Sequence, residues 1–350
     1  MVKRVAFAVP GDLATPTGGY AYDRRMISEL RTLGWQIDVI DLGEGFPWPS
    51  QETREKAQTR LLEIPVGCPT VVDGLALGVL PEAASRFSVH HPLLALVHHP
   101  LALEAGLSAE RADILRDSER AALALAQGVV VTSDATARIL TADYGVAARR
   151  ITVASPGTDR RSMAQGSKDG IVRLLSVGAV APRKGFDVLI AALAALPDLP
   201  WRLIIAGDRT RDPTAVTQLD ADIARYRLGD RVGVLGAVSP QRLEALYTES
   251  DAFVLASHFE GYGMAYAEAI AHGLPVIGTT GGATPDTVPP EAGLLVPPGD
   301  VSAFAQALRR VIGDGALRQQ LARGAQAAAP RLPTWRRSAE IFAGTLEALA

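Results

Sequence analysis

The sequence predicts an α/β protein built from two doubly wound parallel-sheet domains in tandem. Short apolar, β-branched runs alternate with longer stretches of helical periodicity. The runs are nearly continuous in apolar residues, as strands covered on both faces must be. The alternation breaks once, at SPGTDRRSMAQGSKDG (155–170), which is polar, rich in breakers and without period, and then it restarts.

The first half offers strands at 3–9, 36–40, 70–73, 93–97, 128–132 and 151–154, with helices at 21–33, 52–62, 109–126 and 134–144. After the break come strands at 172–177, 202–206, 231–235, 252–255, 275–278 and 293–296. Helices at 186–196, 214–227, 241–250, 264–271 and 301–312 lie between or after them. The expected division is 1–157 as a first Rossmann-like domain, 158–170 as linker and 171–332 as a second such domain. The tail, 333–350, is helical after Pro330 and Pro333, and its Trp335, Ile341, Phe342 and Leu346 need a surface to pack on. Ligands of such sheets bind at the carboxyl ends of the strands. Two such domains facing each other would make a cleft.

Composition narrows the function. Of 350 residues, 48% are apolar, which is ample for two cores, and a net charge of −3 gives no reason to expect nucleic-acid binding. The single cysteine, Cys68, excludes an internal disulfide and reads as a packing residue. The opening apolar run, 5–9, is too short for a leader or a span, and no later stretch has ~20 uninterrupted apolar residues. A cytoplasmic protein is expected, with peripheral contact at the inner face of a membrane left open.

Two stretches suggest chemistry. In SVGAVAPRKGFDVLIAAL a strand ends at Gly178, and a short loop carries Arg183 and Lys184 to a helix N-terminus. Helix-end amides, a forked guanidinium and a compact ammonium together suit phosphate, although the loop lacks Walker spacing. In FEGYGMAYAEA, Gly261 and Gly263 follow Glu260, with Tyr262 and Met264 interleaved; a helix begins near Gly263, with Glu260 just before it and Glu268 inside, about two turns on from Glu260. The glycines let backbone amides approach a ligand, and a carboxylate at Glu268 suits two vicinal hydroxyls. The pair Asp220 and Asp222, which has the spacing of a metal-binding Asp-x-Asp, sits in a helical stretch and reads as solvated surface charge. No His/Cys cluster has zinc spacing.

PRKGFDVLIAAL, FEGYGMAYAEAIAHGLPVI, TTGGATPDTV and AGLLVPPGD together resemble the retaining, GT-B-fold glycosyltransferases of the glycosyltransferase 4 (group 1) type. The resemblance implies a nucleotide diphosphate sugar as donor, held by the second domain, and an acceptor held by the first. Arg183 and Lys184 would bind the diphosphate, Glu268 the ribose, and Glu260 the donor sugar. Amides of 261–264 and the turn at Gly178 would approach that sugar or its phosphates. In PTGGYAYDRRMI, Gly18 and Gly19 match the family's glycine-rich loop after the first strand, and Arg24 and Arg25 follow it. In ALVHHPLALE, His98 or its neighbour His99 matches a histidine that contacts the donor sugar, with His90 and His91 as an upstream echo. Asp73-Gly74 is either a turn or an acceptor contact. No metal or other cofactor is expected, since Arg183, Lys184 and helix amides can neutralise the leaving group. The sequence shows no nucleophile placed beneath C1, so retention would arise by same-face attack. A sugar-nucleotide epimerase of similar fold and a non-catalytic two-lobe binding protein are the competing readings. Nucleobase, donor sugar, acceptor, linkage and oligomeric state stay open.

Overall fold

The computed structural model describes residues 3–349. The chain divides into two compact units, Met1–Gly157 with Pro333–Ala350, and Thr158–Leu332.

Unit 1 is a six-stranded, all-parallel sheet. Its strands are β1 (Arg4–Val9), β2 (Gln36–Asp41), β3 (Thr70–Asp73), β4 (Leu93–Val97), β5 (Gly128–Val131) and β6 (Ile151–Val153), in the order β2-β1-β3-β4-β5-β6. The four strands β1, β3, β4 and β5 are buried almost throughout, which is why they read as unbroken apolar runs. β2 is an edge strand and less buried than these four, with Ile37 inside and Gln36, Val39 and Asp41 exposed. The chain turns from one direction across the sheet to the other between β1 and β3, so the loops after these strands diverge there. The tail helix Trp335–Leu349 belongs to this unit. Trp335, Phe342 and Leu346 are buried, Phe342 stacks 6.4 Å from Phe7 of β1, and Ser338 donates to the Ser155 carbonyl.

Unit 2 repeats the architecture with β7 (Val172–Val177), β8 (Trp201–Ala206), β9 (Val232–Val234), β10 (Ala252–Val254), β11 (Val276–Thr279) and β12 (Gly293–Val296), ordered β12-β11-β10-β7-β8-β9. Its direction reverses between β7 and β10. Helix N-termini are closed by side chains in both units: Thr17, Ser108, Ser133, Asp212, Ser239 and Asp300 each accept an amide of the first turn. The stretch 158–170 lies on unit 2, where Ala164 donates to His272, Gln165 to Thr248, and Ser167 to the Asp251 carboxylate.

Several features differ from the sequence expectation. Helices Pro81–Phe87 and Gly315–Ala328 were not anticipated. The first is only seven residues long, and the second is rich in alanine and glutamine, which blur its apolar stripe. Asp222, expected on the surface beside Asp220, is buried and accepts from Gln218 one turn back (3.0 Å), while Asp220 is exposed and pairs with Arg209. The difference follows from helical geometry, which turns residues two apart to different faces. No helix among the described residues is long and apolar enough to cross a membrane.

Candidate functional site

In unit 2 the loops after β7 and β10 leave the sheet at its reversal point, where ligands of such sheets bind. The loop after β7 runs through Gly178 into a short 3-10 turn, Pro182–Lys184, then the helix Phe186–Ala194. Gly185 joins them at φ 62°, and a Cβ there would lie 2.0 Å from the carbonyl oxygen of Ala256. A side chain would therefore push apart the two loops that bear Arg183, Lys184 and Glu260. The Lys184 stem lies over Gly178, whose missing side chain leaves it room.

Glu260 is the hub of this cluster. It is 6% exposed, its Oε1 accepts from Lys184 Nζ (2.6 Å) and Ser257 Oγ (2.6 Å), and its Oε2 accepts from Arg183 Nη1 (3.3 Å). Arg183 also donates to the Phe259 carbonyl at 2.8 Å. A parallel bridge to Gly282 fixes the backbone of Glu260, with Ala283 N donating to its carbonyl. Burial alone would raise the pKa of Glu260, but Lys184 and Arg183 outweigh it and bring it down to about 2. A guanidinium and an ammonium converging on this loop are groups suited to an incoming anion.

Gly263, at φ 90°, starts the helix Met264–Ala271, with Gly261 and Tyr262 in the turn before it. Thr287 Oγ1 holds the Tyr262 carbonyl at 2.5 Å. About one turn into that helix, Glu268 Oε2 accepts from Tyr247 OH at 3.0 Å. Its pKa is raised, chiefly by burial. Tyr247 stacks at 4.8 Å on His272, which is fixed in turn by the Ser162 carbonyl. Thus Arg183, Lys184, Glu260, Gly178 and the 261–264 turn come together. Glu268 is held about one turn into the helix that follows.

Unit 1 carries a second constellation at the carboxyl ends of β1, β3 and β4. Thr17 caps the helix Gly18–Thr32, accepting from Tyr20 N at 3.2 Å. Gly18 opens that helix, and Gly19 faces the His98 ring, where a Cβ would meet Cδ2 at 3.3 Å. His98 follows β4, and its carbonyl is held by Thr132 Oγ1 at 3.0 Å. Its Nε2 is 3.1 Å from Asp23 Oδ1 and 3.4 Å from Asp73 Oδ2, and the two carboxylates are buried. Burial alone would lower the His98 pKa, but Asp23 and Asp73 outweigh it and raise it to about 10. His99 pairs instead with Glu104, at 3.2 Å. His91 is a packing residue, stacked on Phe87 and facing the Phe87 and Ile64 carbonyls. Arg24 ties the 13–15 loop through the Leu13 and Thr15 carbonyls, and Arg25 lies over the Trp335 ring. Asp73 is a cap as well, its Oδ1 accepting from Leu75 N at 2.7 Å. Cys68 is half-buried, and burial pushes its thiol pKa up.

Among the described residues Asp23, Asp73 and His98 are the group whose ligand-type atoms converge, within 4.8 Å of one another. Sequence reasoning missed Asp23, Ser257 and Tyr247. Asp23 carried a legible signal, since with Ile27 and Leu30 it occupies the i, i+4, i+7 stripe that buries the helix.

Comparison with solved structures places this architecture. The sucrose-phosphate synthase from Thermosynechococcus elongatus superposes with a TM-score of 0.84 at 22% identity, over 99% of each chain. The fold is GT-B. Anabaena HepE in complex with UDP and glucose gives 0.76 at 20% identity, over 98% of this chain and 99% of that one. At such identities the likeness concerns the fold. Residues 159–328 match the family model described as "Glycosyl transferases group 1". D-inositol 3-phosphate glycosyltransferase of Xylanimonas cellulosilytica is 32% identical over 230 residues, 61% of this chain and 55% of the relative. The one from Saccharomonospora viridis is 32% identical over 244 residues, 63% and 56%. The matches thus span little more than half of those relatives. The MMP alpha-(1->4)-mannosyltransferase of Mycolicibacterium hassiacum is 27% identical over 315 residues, 81% and 72%.

Proposed function

We propose that this protein is a retaining glycosyltransferase that moves a sugar from a nucleotide diphosphate sugar to an acceptor hydroxyl. The observation that carries it is the Arg183–Lys184–Glu260 cluster at the reversal point of the unit 2 sheet. The group 1 match of 159–328 and the glycosyltransferase names of the relatives support the same reading, as does HepE, whose structure holds UDP and glucose.

Unit 2 takes the donor. Its diphosphate seats on Arg183 and Lys184, with Gly178 and the 261–264 turn leaving room for the backbone to approach. Glu268 receives the ribose hydroxyls, with Tyr247 orienting its carboxylate. As phosphate oxygens draw on the two cations, Glu260 keeps Ser257 as partner and turns an oxygen to a hydroxyl of the donor sugar. Breaking the C1–O bond leaves negative charge on the diphosphate. The cation pair stabilises that charge, and losing such a positioned group typically costs ~100-fold or more in rate. The acceptor, bound by unit 1 near Gly18 and Gly19, attacks from the face the phosphate leaves, and the departing phosphate oxygen takes its proton. His98 donates to the transferred sugar. The pair of side-chain cations does the work a divalent ion does elsewhere, so turnover should survive chelation.

A thermal-shift panel of nucleoside diphosphates and sugar nucleotides tests the donor half. A true ligand at 100 times its dissociation constant stabilises by about 2.7 kcal/mol. Absence of a shift with any member, together with absence of turnover, would remove the reading. Isomerised donor formed without acceptor would favour an epimerase.

A further inference from the structure

His98 is enclosed on one side by acid. From the helix Gly18–Thr32, Asp23 reaches Nε2 at 3.1 Å, and the Tyr22 ring meets the imidazole edge-on at 5.3 Å. From the end of β3, Asp73 reaches the same nitrogen at 3.4 Å. These are the titratable groups facing the ring among the described residues. The side chain of Asp23 is 0% exposed and that of Asp73 3%, while His98 keeps 19%. Asp23 Oδ2 is buried without a hydrogen-bond partner. Nδ1 of His98, the other nitrogen, bonds to no described residue.

Two buried carboxylates converging on one nitrogen set the charge. A neutral ring has one N–H, and if it lay on Nε2 it would leave two acids sharing one uncharged donor in a site without solvent. Desolvation penalises that arrangement strongly. A ring protonated on both nitrogens supplies the counter-charge and places its second N–H on the side away from the acids. Burial and the neighbouring Asp73 raise the pKa of Asp23 to about 7, which His98 opposes; any proton the two acids hold near neutral pH is shared between them, while the ring keeps its own.

We propose that Asp23 is a positioning residue which, with Asp73, locks His98 as an imidazolium, so that Nδ1–H is a permanently charged hydrogen-bond donor to a ligand oxygen. This rests on the proposed transfer reaction only for the identity of that oxygen, a hydroxyl of the transferred sugar. The inference excludes one role for His98: it cannot serve as the base that takes the acceptor's proton. Asp23 touches no substrate and acts through the ring.

The charge state can be read without substrate. In the full chain labelled at histidine Cε1, the His98 signal is assigned by its loss in His98→Gln and followed from pH 5.5 to 9. The expected signal stays at the imidazolium position through pH 8.5, in line with a pKa of about 10. In Asp23→Asn, and separately in Asp73→Asn, the midpoint should drop by a pH unit or more. The alkaline limb of the kcat/KM profile should move down with it. A wild-type midpoint near 6.5 would overturn the proposal. So would a His98 signal that shifts with added Zn²⁺ or Mn²⁺ and returns with EDTA, since the three side chains would then be a cation site. If the wild-type ring stays charged while no sugar nucleotide turns over, the transferase reading fails and the imidazolium lock stands.

Discussion

Lys184 Nζ lies 2.6 Å from Glu260 Oε1, and the same oxygen accepts from Ser257 Oγ. A buried carboxylate thus holds in register a cation that comes from a loop 76 residues away. Removing one member of such a pair leaves the other charge uncompensated, which typically costs about 3–5 kcal/mol. Glu260→Gln should therefore lose on the order of 3 kcal/mol at pH 7, measured by urea unfolding.

The same residue sets an acid dependence. The folded-state pKa of Glu260 is depressed from 4.5 to about 2, so its contribution is fully present above about 4.5 and is lost as pH falls toward 2. The stability gap between wild type and Glu260→Gln should narrow steadily across that window. A gap that is constant from pH 7 to 2.5 would contradict the ionised cluster.

Neutralising both cations, with Arg183→Ala and Lys184→Ala together, should weaken nucleoside diphosphate binding by ~100-fold or more and reduce turnover at least as far. Calorimetric titration with a nucleoside diphosphate measures the first. Binding within threefold of wild type would remove the diphosphate from this loop.

Glu268→Gln should cost the discrimination between ribose and dideoxyribose nucleotides. A hydrogen bond to a charged group contributes about 1.5–3 kcal/mol, so the wild type should prefer the ribonucleotide by roughly tenfold or more and the variant by far less. Competition binding with the two diphosphates reads this directly. Tyr247→Phe, which frees the Glu268 carboxylate, should lower the preference by a smaller factor.

Glu119 gives a base-side dependence. It is 1% exposed, holds Leu101 N at 2.9 Å, and burial raises its pKa from 4.5 to about 8. Its raised pKa means the folded chain favours the protonated acid, so stability falls as pH climbs from about 4.5 through about 8. Glu119→Gln should be flat over that range and overtake wild type on the alkaline side by on the order of 2–4 kcal/mol, followed by thermal melts at fixed ionic strength.

The fold was largely legible because both sheets are parallel and doubly covered, and such strands announce themselves as apolar runs. β3, β4, β7 and β12 begin and end where those runs do. The edges read less well: β9 is three residues, where five were expected, because at the end of a sheet one flank of the ladder is missing. Around the candidate site, Arg183, Lys184, Glu260 and Glu268 stood out by type and spacing. Their partners did not. Tyr247 reaches Glu268 from 21 residues away, and such a pair leaves no local trace, whereas Ser257 lies only three residues before Glu260 and was passed over as an ordinary loop serine. Asp23 was overlooked because YAYDRRMI sets it beside two arginines, which made it resemble solvated charge. Its stripe position was the better guide.

Unit 2 is one uninterrupted segment, whereas unit 1 is assembled from two that enclose it. During vectorial synthesis a ribosome finishes every residue of Thr158–Leu332 before it begins the helix whose Phe342 covers Phe7. Domains generally fold as they emerge. Here the sheet of unit 1 must wait, with part of its apolar surface bare, until a helix translated after the whole of unit 2 arrives to cover it.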